Sequence, residues 1–575
     1  MGPLGGCMSY DIREMSLDKV DNKAKKAEDW MYDSDPRGTG KTVVMRYQES
    51  RDLGATVTMP SKLRKGLPRR TGSLCPECVK IIPAVLYEEN GALVMKKTCQ
   101  EHGEFKEVCW SDVDMYLKAE SWAFDGVGIQ NPAITDATVC PYECGLCNLH
   151  YSNTALCNID LTNRCNLKCP ICFANANAAG YVFEPEFEQI LYEFAVLRAQ
   201  RPIPVNAIQL SGGEPTIYPH FVDIVKAARE MGFAQIQCAT NGIRMATEEG
   251  FIEEVARAGL NTIYLQFDGL KEDNYIKARG KPLLGIKMKV IQKIREMAPP
   301  KPTICLVPTL VGSFNEDQVG PIMDFAIENS DVVKGVNYQP VSLTGRIPDE
   351  EREKLRYTLS DLAHDLEEQT GYLTIDDWYP VPFVAPISEL ISILTGSAKT
   401  SFTSHPGCGL ASYLFLEKGE DPTPITRFVD IEGLMEDMWE LSQRAKNAKI
   451  KFVSKIKALN LLRRHFDEAN APAGMGLRSF LKTLGTMFKS GTKKGASDFS
   501  YRMMYVGGMH FQDNYNYDIE RVKRCVIHYA TPDGRIIPFC AYNTGPVFRN
   551  EVEKKFAVPL REWGKRHAER ADSQS

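Results

Sequence analysis

The sequence predicts an α/β protein organised around a partial (β/α)6 barrel. Six apolar, β-branched runs alternate with amphipathic segments of helical period, and polar or glycine-rich loops follow the runs. Most of the seventeen cysteines also fall into closely spaced groups beside these runs. Parallel strands joined by helices collect reactive groups at their carboxyl ends. The predicted strands are 155–161, 205–210, 234–240, 262–267, 302–310 and 335–341, and the predicted helices are 186–199, 221–231, 248–258, 284–297, 317–329 and 350–368.

The composition divides the chain into five predicted regions. The 575 residues, 43% of them hydrophobic, can bury large cores. We expect a polar extension over 1–70, a zinc-ribbon or rubredoxin-like domain over 71–110 and an auxiliary iron-sulfur region over 111–157. The barrel follows over 158–390, and a helix-rich, cluster-binding region occupies 391–575.

The first cysteine group predicts a mononuclear metal site. Cys75 and Cys78 form one C-x2-C knuckle, and Cys99 with His102 forms a second one about twenty residues later. Four such ligands in tetrahedral reach suit structural zinc or a single iron. Cys109 competes with His102 for the fourth position, and His102 is favoured because its spacing mirrors the first knuckle. A metal-free hairpin is the alternative.

The second group predicts an auxiliary 4Fe-4S cluster. Four cysteines lie within eighteen residues, and ligation by all four would saturate the cluster. The structural alternative is a set of buried, unligated thiols. The predicted ligands are Cys140, Cys144, Cys147 and Cys157.

The third group follows the first predicted barrel strand with the spacing C-x3-C-x2-C. Cys165, Cys169 and Cys172 can bind three irons of a 4Fe-4S cluster and leave the fourth iron open. A zinc knuckle is the plainer alternative. This loop resembles that of the radical S-adenosylmethionine (radical SAM) superfamily, in which the open iron binds S-adenosylmethionine. The resemblance implies that reduction of the cluster yields a 5'-deoxyadenosyl radical that abstracts hydrogen.

Loops after later strands resemble other motifs of this superfamily. Ser211 to Pro215 resembles its glycine-rich motif, which implies that Gly212 and Gly213 let the backbone approach the methionyl ammonium while Glu214 helps to bind it. Ile171 departs from the aromatic residue common at its position, so no adenine contact is assigned there. Three further positions resemble cofactor and substrate contacts: Asn241, Gln266 and Asp268.

Three distant cysteines predict a second auxiliary cluster in the C-terminal region. Cys408, Cys525 and Cys540 stand among Gly, Pro and His residues. The fourth ligand of this cluster could be Cys305, Cys238 or His528, or the fourth position could be an open site. The expected cofactors are thus three 4Fe-4S clusters, S-adenosylmethionine and one mononuclear iron or zinc.

A basic segment separates these cysteines. Residues 444–494 carry thirteen Lys and Arg against only Asp467 and Glu468, although the whole chain has a formal net charge of -5. The apolar spacing predicts two amphipathic helices with cationic faces, which can lie at an anionic membrane surface. Ordinary helices packed on the barrel are at least as well supported. Few aromatic residues interleave the basic ones, so no nucleic acid partner is expected.

Residues 70–545 together resemble the archaeal radical SAM proteins that include tetraether lipid synthase. The resemblance implies carbon-carbon bond formation between terminal methyl carbons of isoprenoid chains, giving tetraether or macrocyclic lipids. The implied partners are an isoprenoid diether phospholipid substrate and a reductive electron donor. The alternatives are a radical SAM methyltransferase acting on a pterin precursor and a non-catalytic iron-sulfur electron carrier.

Hydropathy and cysteine usage suggest a location. No apolar run of about 20 residues is present, and the N-terminus lacks the apolar core of a signal peptide. Cysteines grouped as metal ligands favour a reducing compartment. We therefore expect a cytoplasmic protein, with peripheral contact at the inner membrane face as a further expectation.

Overall fold

The computed structural model describes residues 63–345, 351–417, 419–446, 451–473, 475–480, 503–544 and 548–564. The strands are β1 Arg69–Leu74, β2 Ile81–Glu89, β3 Ala92–Cys99, β4 Gly103–Trp110, β5 Leu156–Thr162, β6 Tyr181–Val182, β7 Ala207–Gly212, β8 Gln235–Thr240, β9 Thr262–Gln266, β10 Thr303–Val307, β11 Thr309–Leu310, β12 Val333–Pro340, β13 Tyr379–Pro380, β14 Gly409–Phe415, β15 Thr423–Pro424, β16 Met503–Met509, β17 Ile527–Ala530, β18 Ile536–Pro538 and β19 Val558–Pro559.

The α-helices complete the element list. They are α1 Val113–Ser121, α2 Phe187–Ala199, α3 Phe221–Glu230, α4 Ile243–Thr247, α5 Phe251–Ala258, α6 Glu272–Arg279, α7 Leu284–Glu296, α8 Val319–Glu328, α9 Arg352–Leu355, α10 Leu359–Thr370, α11 Ala385–Thr395, α12 Ile431–Lys446, α13 Lys451–Arg464, α14 Ile519–Lys523, α15 Phe539–Thr544 and α16 Phe548–Phe556.

The predicted barrel is confirmed. Strands β5, β7, β8, β9, β10 and β12 are neighbours in that order, and each adjacent pair is parallel. Helices cover the outer face of these strands, which carries apolar side chains. Ile159, Ile208 and Ile263, for example, are fully buried in the main core. The predicted single strand over 302–310 is two strands, because the chain leaves β10 at Pro308 before pairing again as β11.

The C-terminal region extends this sheet at both edges. Strand β16 pairs parallel with β12 and antiparallel with β14, whereas β17 pairs parallel with β5. These strands satisfy the main-chain groups that an open six-stranded sheet leaves free at its edges. The region is therefore part of the barrel layer as well as a set of helices, and it brings its cysteines to the ends of β5 and β12.

The N-terminal ribbon is a four-stranded antiparallel sheet that docks on the C-terminal region. Strands β1 to β4 pair in sequence order. Thr71 donates a hydrogen bond to Asp518 at 2.6 Å, and the buried Lys97 ammonium donates to the carbonyl of Asn514 at 2.6 Å. Burial lowers the pKa of Lys97 to about 8. The ribbon is thereby fixed to the loop that precedes α14.

The basic segment is only partly covered by the described residues. The first predicted amphipathic helix is present as α13, and Leu461 and Leu462 pack on a separate core formed mainly with α11 and α12. Ile456 and Leu459 remain exposed. Most of the second predicted helix lies in 481–502, outside the described residues. Among the described helices, none is long and apolar enough to cross a bilayer.

Candidate active site and metal centres

The C-x3-C-x2-C loop opens onto a cavity at the carboxyl ends of the barrel strands. The cavity has a volume of about 270 Å³, and Cys165, Cys169 and Cys172 all line it. Burial raises the pKa of Cys165 to about 12 and also raises that of Cys169. Bound iron stabilises the thiolate form of cysteine, so the burial of Cys165 and Cys169 is compatible with ligation to a cluster.

Asn177, which the sequence analysis missed, holds this loop in shape. Its side chain accepts a hydrogen bond from the Cys165 N–H at 3.0 Å and donates to the carbonyls of Cys165 and Leu167 at 2.8 and 3.0 Å. Asn177 itself has φ +66°, a left-handed conformation that asparagine tolerates better than most residues. No sequence motif marks this asparagine, since its role depends on a turn twelve residues downstream.

Gly212, the last residue of β7, and Gly213 after it lie against the backbone of the cluster loop. A Cβ atom on Gly212 would stand 2.3 Å from the Thr162 carbonyl oxygen, and one on Gly213 would stand 2.2 Å from that of Arg164. The Gly213 N–H donates to the Thr162 carbonyl at 2.7 Å, and the Glu214 N–H donates to the Arg164 carbonyl at 2.9 Å. Only residues without a side chain permit this approach, so the glycines position the cysteine loop itself.

Glu214 is buried and saturated with hydrogen bonds. One carboxylate oxygen accepts from the Thr216 N–H and hydroxyl and from the Thr240 hydroxyl, at 3.2, 2.6 and 2.7 Å. The other oxygen accepts from the Asn241 N–H at 2.8 Å. Asn241 donates from its side chain to Asn166 at 2.6 Å, which links the end of β8 to the cysteine loop.

Asp268 forms a buried ion pair with Arg279, a residue that the sequence analysis did not single out. The two hydrogen bonds measure 2.6 and 2.8 Å. Burial raises the pKa of Asp268, but the Arg279 guanidinium outweighs burial and the net pKa is lowered. Arg279 also donates to the Ile171 carbonyl at 3.0 Å, so the pair connects the end of β9 to the cysteine loop. Gln266 donates to the same Asp268 carboxylate.

The barrel lumen is lined by polar side chains at alternating strand positions. Gln237 donates to Gln209 at 2.7 Å, Gln209 donates to Asn158 at 2.7 Å, and Asn158 donates to the His528 carbonyl at 3.1 Å. This amide row crosses β8, β7, β5 and β17 on the inner face of the sheet. Several further polar residues line the cavity: Tyr264, Gln266, Gln339, Tyr529, Asn543 and Arg549.

The structure brings the four predicted ribbon ligands together. His102 Nδ1 lies 3.6 Å from Cys75 Sγ and 3.5 Å from Cys99 Sγ, and Cys78 Sγ lies 3.9 Å from Cys99 Sγ. All four ligand atoms lie within 4.8 Å of one another. Burial raises the pKa of Cys99, but hydrogen bonds from His102 and nearby N–H groups outweigh it and lower that pKa to about 7. Cys109 faces away from this site, beside Glu107 in the main core.

The second cysteine group is only partly assembled as predicted. Cys140, Cys144 and Cys147 share one buried core. Burial, followed by the Cys140 and Cys147 thiols, raises the pKa of Cys144 well above its ordinary value. Cys157 is separated from them because it alternates with Leu156 and Asn158, which face the cavity. Its side chain therefore points to the outer helical layer, where Glu193 of α2 is its charged neighbour.

The three C-terminal cysteines converge from separate segments. Burial raises the pKa of Cys525 most, and the nearby Cys540 and Cys408 thiols raise it further. None of the candidates for a fourth position joins them: Cys238 is beside Glu214, Cys305 is in the barrel wall beside Tyr264, and His528 contacts His150.

Buried polar atoms around the C-terminal cysteines lack partners within the described residues. The Tyr517 hydroxyl is fully buried and has no hydrogen-bond partner there, and neither does His510 Nε2. Tyr517 has Cys140, Cys144, Cys525 and Cys540 as its electrostatic neighbours. Because unpaired buried polar groups are costly, these atoms mark a place for a further group, and the surrounding cysteines suit a sulfur-rich group between the two sets of thiols.

Comparison with known proteins places this geometry in a family. The radical SAM superfamily model matches residues 159–326, and a model described as the HMPTM N-terminal zinc ribbon domain matches residues 67–111. The 7,8-dihydro-6-hydroxymethylpterin dimethyltransferase of Methanocaldococcus jannaschii is 45% identical over 504 residues, which cover 87% of this chain and 98% of that enzyme. The chain belongs to the family of that enzyme, within the radical SAM superfamily.

More distant matches cover smaller shares of the chain. The tungsten-containing aldehyde ferredoxin oxidoreductase cofactor-modifying protein of Pyrococcus furiosus is 29% identical over 25% of this chain and 41% of its own length. The crystal structure of Streptococcus suis SuiB bound to S-adenosylmethionine is 21% identical and covers 39% of this chain and 45% of that one, with a TM-score of 0.30. A similarity this low carries no argument here.

Family membership settles part of the functional prediction and overturns another part. The chain is a radical SAM enzyme, which implies a 4Fe-4S cluster and S-adenosylmethionine, and this excludes the non-catalytic carrier. The predicted isoprenoid diether phospholipid substrate and tetraether product are contradicted, because the relative that matches almost end to end is named for a pterin substrate. The sequence prediction relied on cysteine motifs that hold cofactors, and such motifs do not specify the substrate.

Proposed function

We propose that this chain is a radical SAM methyltransferase that acts on a reduced 6-hydroxymethylpterin. The observation that carries the proposal is the 45% identity to the pterin dimethyltransferase over 98% of that enzyme. Methylation at a pterin carbon breaks a C–H bond and forms a C–CH3 bond. The 5'-deoxyadenosyl radical can take up that hydrogen atom and leave as 5'-deoxyadenosine, where acid-base chemistry does not remove it at neutral pH.

The polar lumen supports a heteroaromatic substrate. A pterin presents several ring and exocyclic hydrogen-bonding groups along one edge, and side-chain amides can both donate to and accept from such an edge. The row Asn158, Gln209 and Gln237 and the cavity residue Gln339 offer this surface. Each amide of the row already donates one N–H within the row, so its second N–H remains for an acceptor on the substrate. A hydrocarbon offers no such acceptor, and a buried N–H left unpaired costs roughly 1–3 kcal/mol.

The cavity residues also support an assignment of the cofactor-binding residues. We assign Cys165, Cys169 and Cys172 to a 4Fe-4S cluster with one open iron, and the adjoining strand ends to S-adenosylmethionine. When bound, this pair supplies a 5'-deoxyadenosyl radical. The protein fixes the site through Asn177, which orients the cysteine loop, and Glu214, whose carboxylate is locked by four hydrogen bonds. The cofactor-contacting residues we assign are Gly212, Gly213, Glu214, Asn241, Gln266 and Asp268.

The remaining cysteines are assigned to auxiliary centres. We assign Cys75, Cys78, Cys99 and His102 to one structural metal, with zinc favoured by the zinc-ribbon family match. Two auxiliary 4Fe-4S clusters are assigned to the three C-terminal cysteines and to the group at 140–147 without Cys157. A reductive electron donor is required to supply electrons to the radical cluster.

The test uses the purified, anaerobically reconstituted enzyme. It is incubated with dithionite, 7,8-dihydro-6-hydroxymethylpterin, S-adenosylmethionine in excess as radical source and possible methyl donor, and a reduced folate-type one-carbon carrier as the other possible methyl donor, and the products are analysed by mass spectrometry. We expect methylated pterin together with 5'-deoxyadenosine. Formation of 5'-deoxyadenosine with the pterin left unmodified would overturn the proposed substrate.

Matched lumen variants test the amide row. Gln209→Leu removes the central amide and should raise KM for the pterin about tenfold or more, while S-adenosylmethionine cleavage persists. Gln235→Leu is the control, because Gln235 shares the inner face of β8 but lies at the amino end, where it donates to Thr262. If the two substitutions change KM equally, the amide row of the lumen is not part of the substrate site.

A further inference from the structure

We propose that Arg521 is a positioning residue for the auxiliary cluster of the C-terminal cysteines, and that its charge raises the reduction potential of this cluster. The inference rests on the cluster assigned above to Cys408, Cys525 and Cys540. It adds a residue that belongs to no cysteine motif and assigns to that residue an electrostatic effect on the cluster.

Arg521 lies on α14 with its guanidinium buried among these thiols. Its Nε donates to Cys408 Sγ at 3.4 Å, and Nη2 donates to the His510 carbonyl at 2.5 Å. The side chain is desolvated, and Cys408 and Cys540 are its strongest electrostatic partners. The His510 N–H in turn donates to the Cys408 carbonyl at 3.0 Å, so one arginine ties together two of the converging segments.

Arg521 differs from other buried arginines of the chain in the group that lies beside its charge. Buried guanidinium groups elsewhere in the chain pair with carboxylates: Arg69 with Glu120, and Arg356 with Asp513 at 2.7 Å. Arg521 has no carboxylate oxygen within 4.0 Å among the described residues, and its nearest ionisable partner is the Cys408 thiol; the Asp518 carboxylate acts on it more weakly than the Cys408 and Cys540 thiols. A buried charge without a counter-ion is strongly unfavourable. The position therefore suits an anionic group, and a cluster held by three thiolates is one.

The sign of the effect follows from Coulomb's law. Reduction adds one electron to the cluster and makes or breaks no bond, so the reduced state is more negative by one charge. A fixed positive charge in a desolvated site stabilises that state more than the oxidised one. Removing the charge must then lower the potential, and a tenfold change in the equilibrium for a one-electron couple corresponds to 59 mV.

The experiment measures the potential of this one cluster. All variants carry Ala in place of Cys165, Cys169 and Cys172, so that the radical cluster gives no signal. The electron paramagnetic resonance signal of the C-terminal cluster is then identified as the one that disappears when Cys408→Ala is added. Redox titration of that signal is then compared for Arg521→Gln, Arg521→Lys and the control Arg69→Gln. We expect Arg521→Gln to shift the reduction equilibrium at least tenfold towards the oxidised state, with a smaller shift for Arg521→Lys and none for Arg69→Gln.

The outcomes separate the inference from the assignment on which it rests. If Cys408→Ala removes no signal, the assigned cluster is absent and the proposed cofactor set fails. If the signal exists but Arg521→Gln leaves its potential unchanged, or shifts it no more than Arg69→Gln, the role of Arg521 is overturned. Loss of only this cluster's iron from Arg521→Gln, with retention in Arg521→Lys, supports the positioning role. Loss of all metals from both variants, by contrast, would show a general structural role and refute it.

Discussion

Replacing Gly213 with alanine should displace the cysteine loop and impair radical formation. The added Cβ would stand 2.2 Å from the Arg164 carbonyl oxygen and 2.7 Å from its carbon, and both are backbone atoms that cannot rotate away. Ordinary contact begins near 3.4 Å, so the loop and β7 must separate by about 1.2 Å. That separation would strain the hydrogen bond from Gly213 to Thr162 and move Cys165, which follows Arg164 directly.

The magnitude follows from this displacement. Overpacking of this kind costs roughly 1–3 kcal/mol of folding free energy. A shift of about 1 Å in a catalytic group can lower a rate by about 100-fold. We therefore expect Gly213→Ala to slow 5'-deoxyadenosine formation about 100-fold in reconstituted, reduced enzyme, with the ribbon metal retained. Iron content and liquid chromatography of the nucleoside measure both effects.

Gly285→Ala is the matched control. Gly285 lies in α7, and no atom stands within 4 Å of the Cβ position. In a helix this substitution is neutral or stabilises by up to about 1 kcal/mol. If Gly213→Ala cleaves S-adenosylmethionine as fast as Gly285→Ala, the steric role assigned to the glycine pair is refuted.

Three further predictions concern single contacts. Arg279→Met should lower the free energy of unfolding by roughly 3–5 kcal/mol, because it leaves the Asp268 carboxylate buried and unpaired. A urea titration measures this loss, and a loss below about 1 kcal/mol would contradict a stabilising role of the ion pair. His102→Ala should remove the ribbon metal without reducing iron content, and metal analysis that shows the ribbon metal retained would argue against His102 as a ligand. Cys157→Ala should leave the iron content of the enzyme unchanged, whereas Cys144→Ala should lower it by up to four irons. Equal losses of iron in the two variants would show that Cys157 is a cluster ligand after all.

The sequence alone determined the barrel and the cysteine loop. Strands such as β8 and β9 lie within one residue of their predicted bounds, because every second position carries a buried apolar or small side chain, as at Ile236, Cys238, Ile263 and Leu265. The ligand groups of the ribbon were equally readable, since both knuckles are local in the chain. The substrate was not, because cofactor motifs do not encode it.

Tertiary structure decided the contacts that join distant parts of the chain. Arg279 and Arg521 act on groups that no local pattern connects to them, and Cys157 is directed away from its neighbours in sequence by strand alternation. The polar lumen was hidden for a related reason. Asn158 and Gln209 sit within runs that are predominantly apolar, and only the pairing of β5 with β7 places their amides side by side on one inner surface. Chemistry carried by a local motif is therefore visible in the sequence, whereas chemistry that depends on which strands become neighbours is fixed only when the sheet assembles.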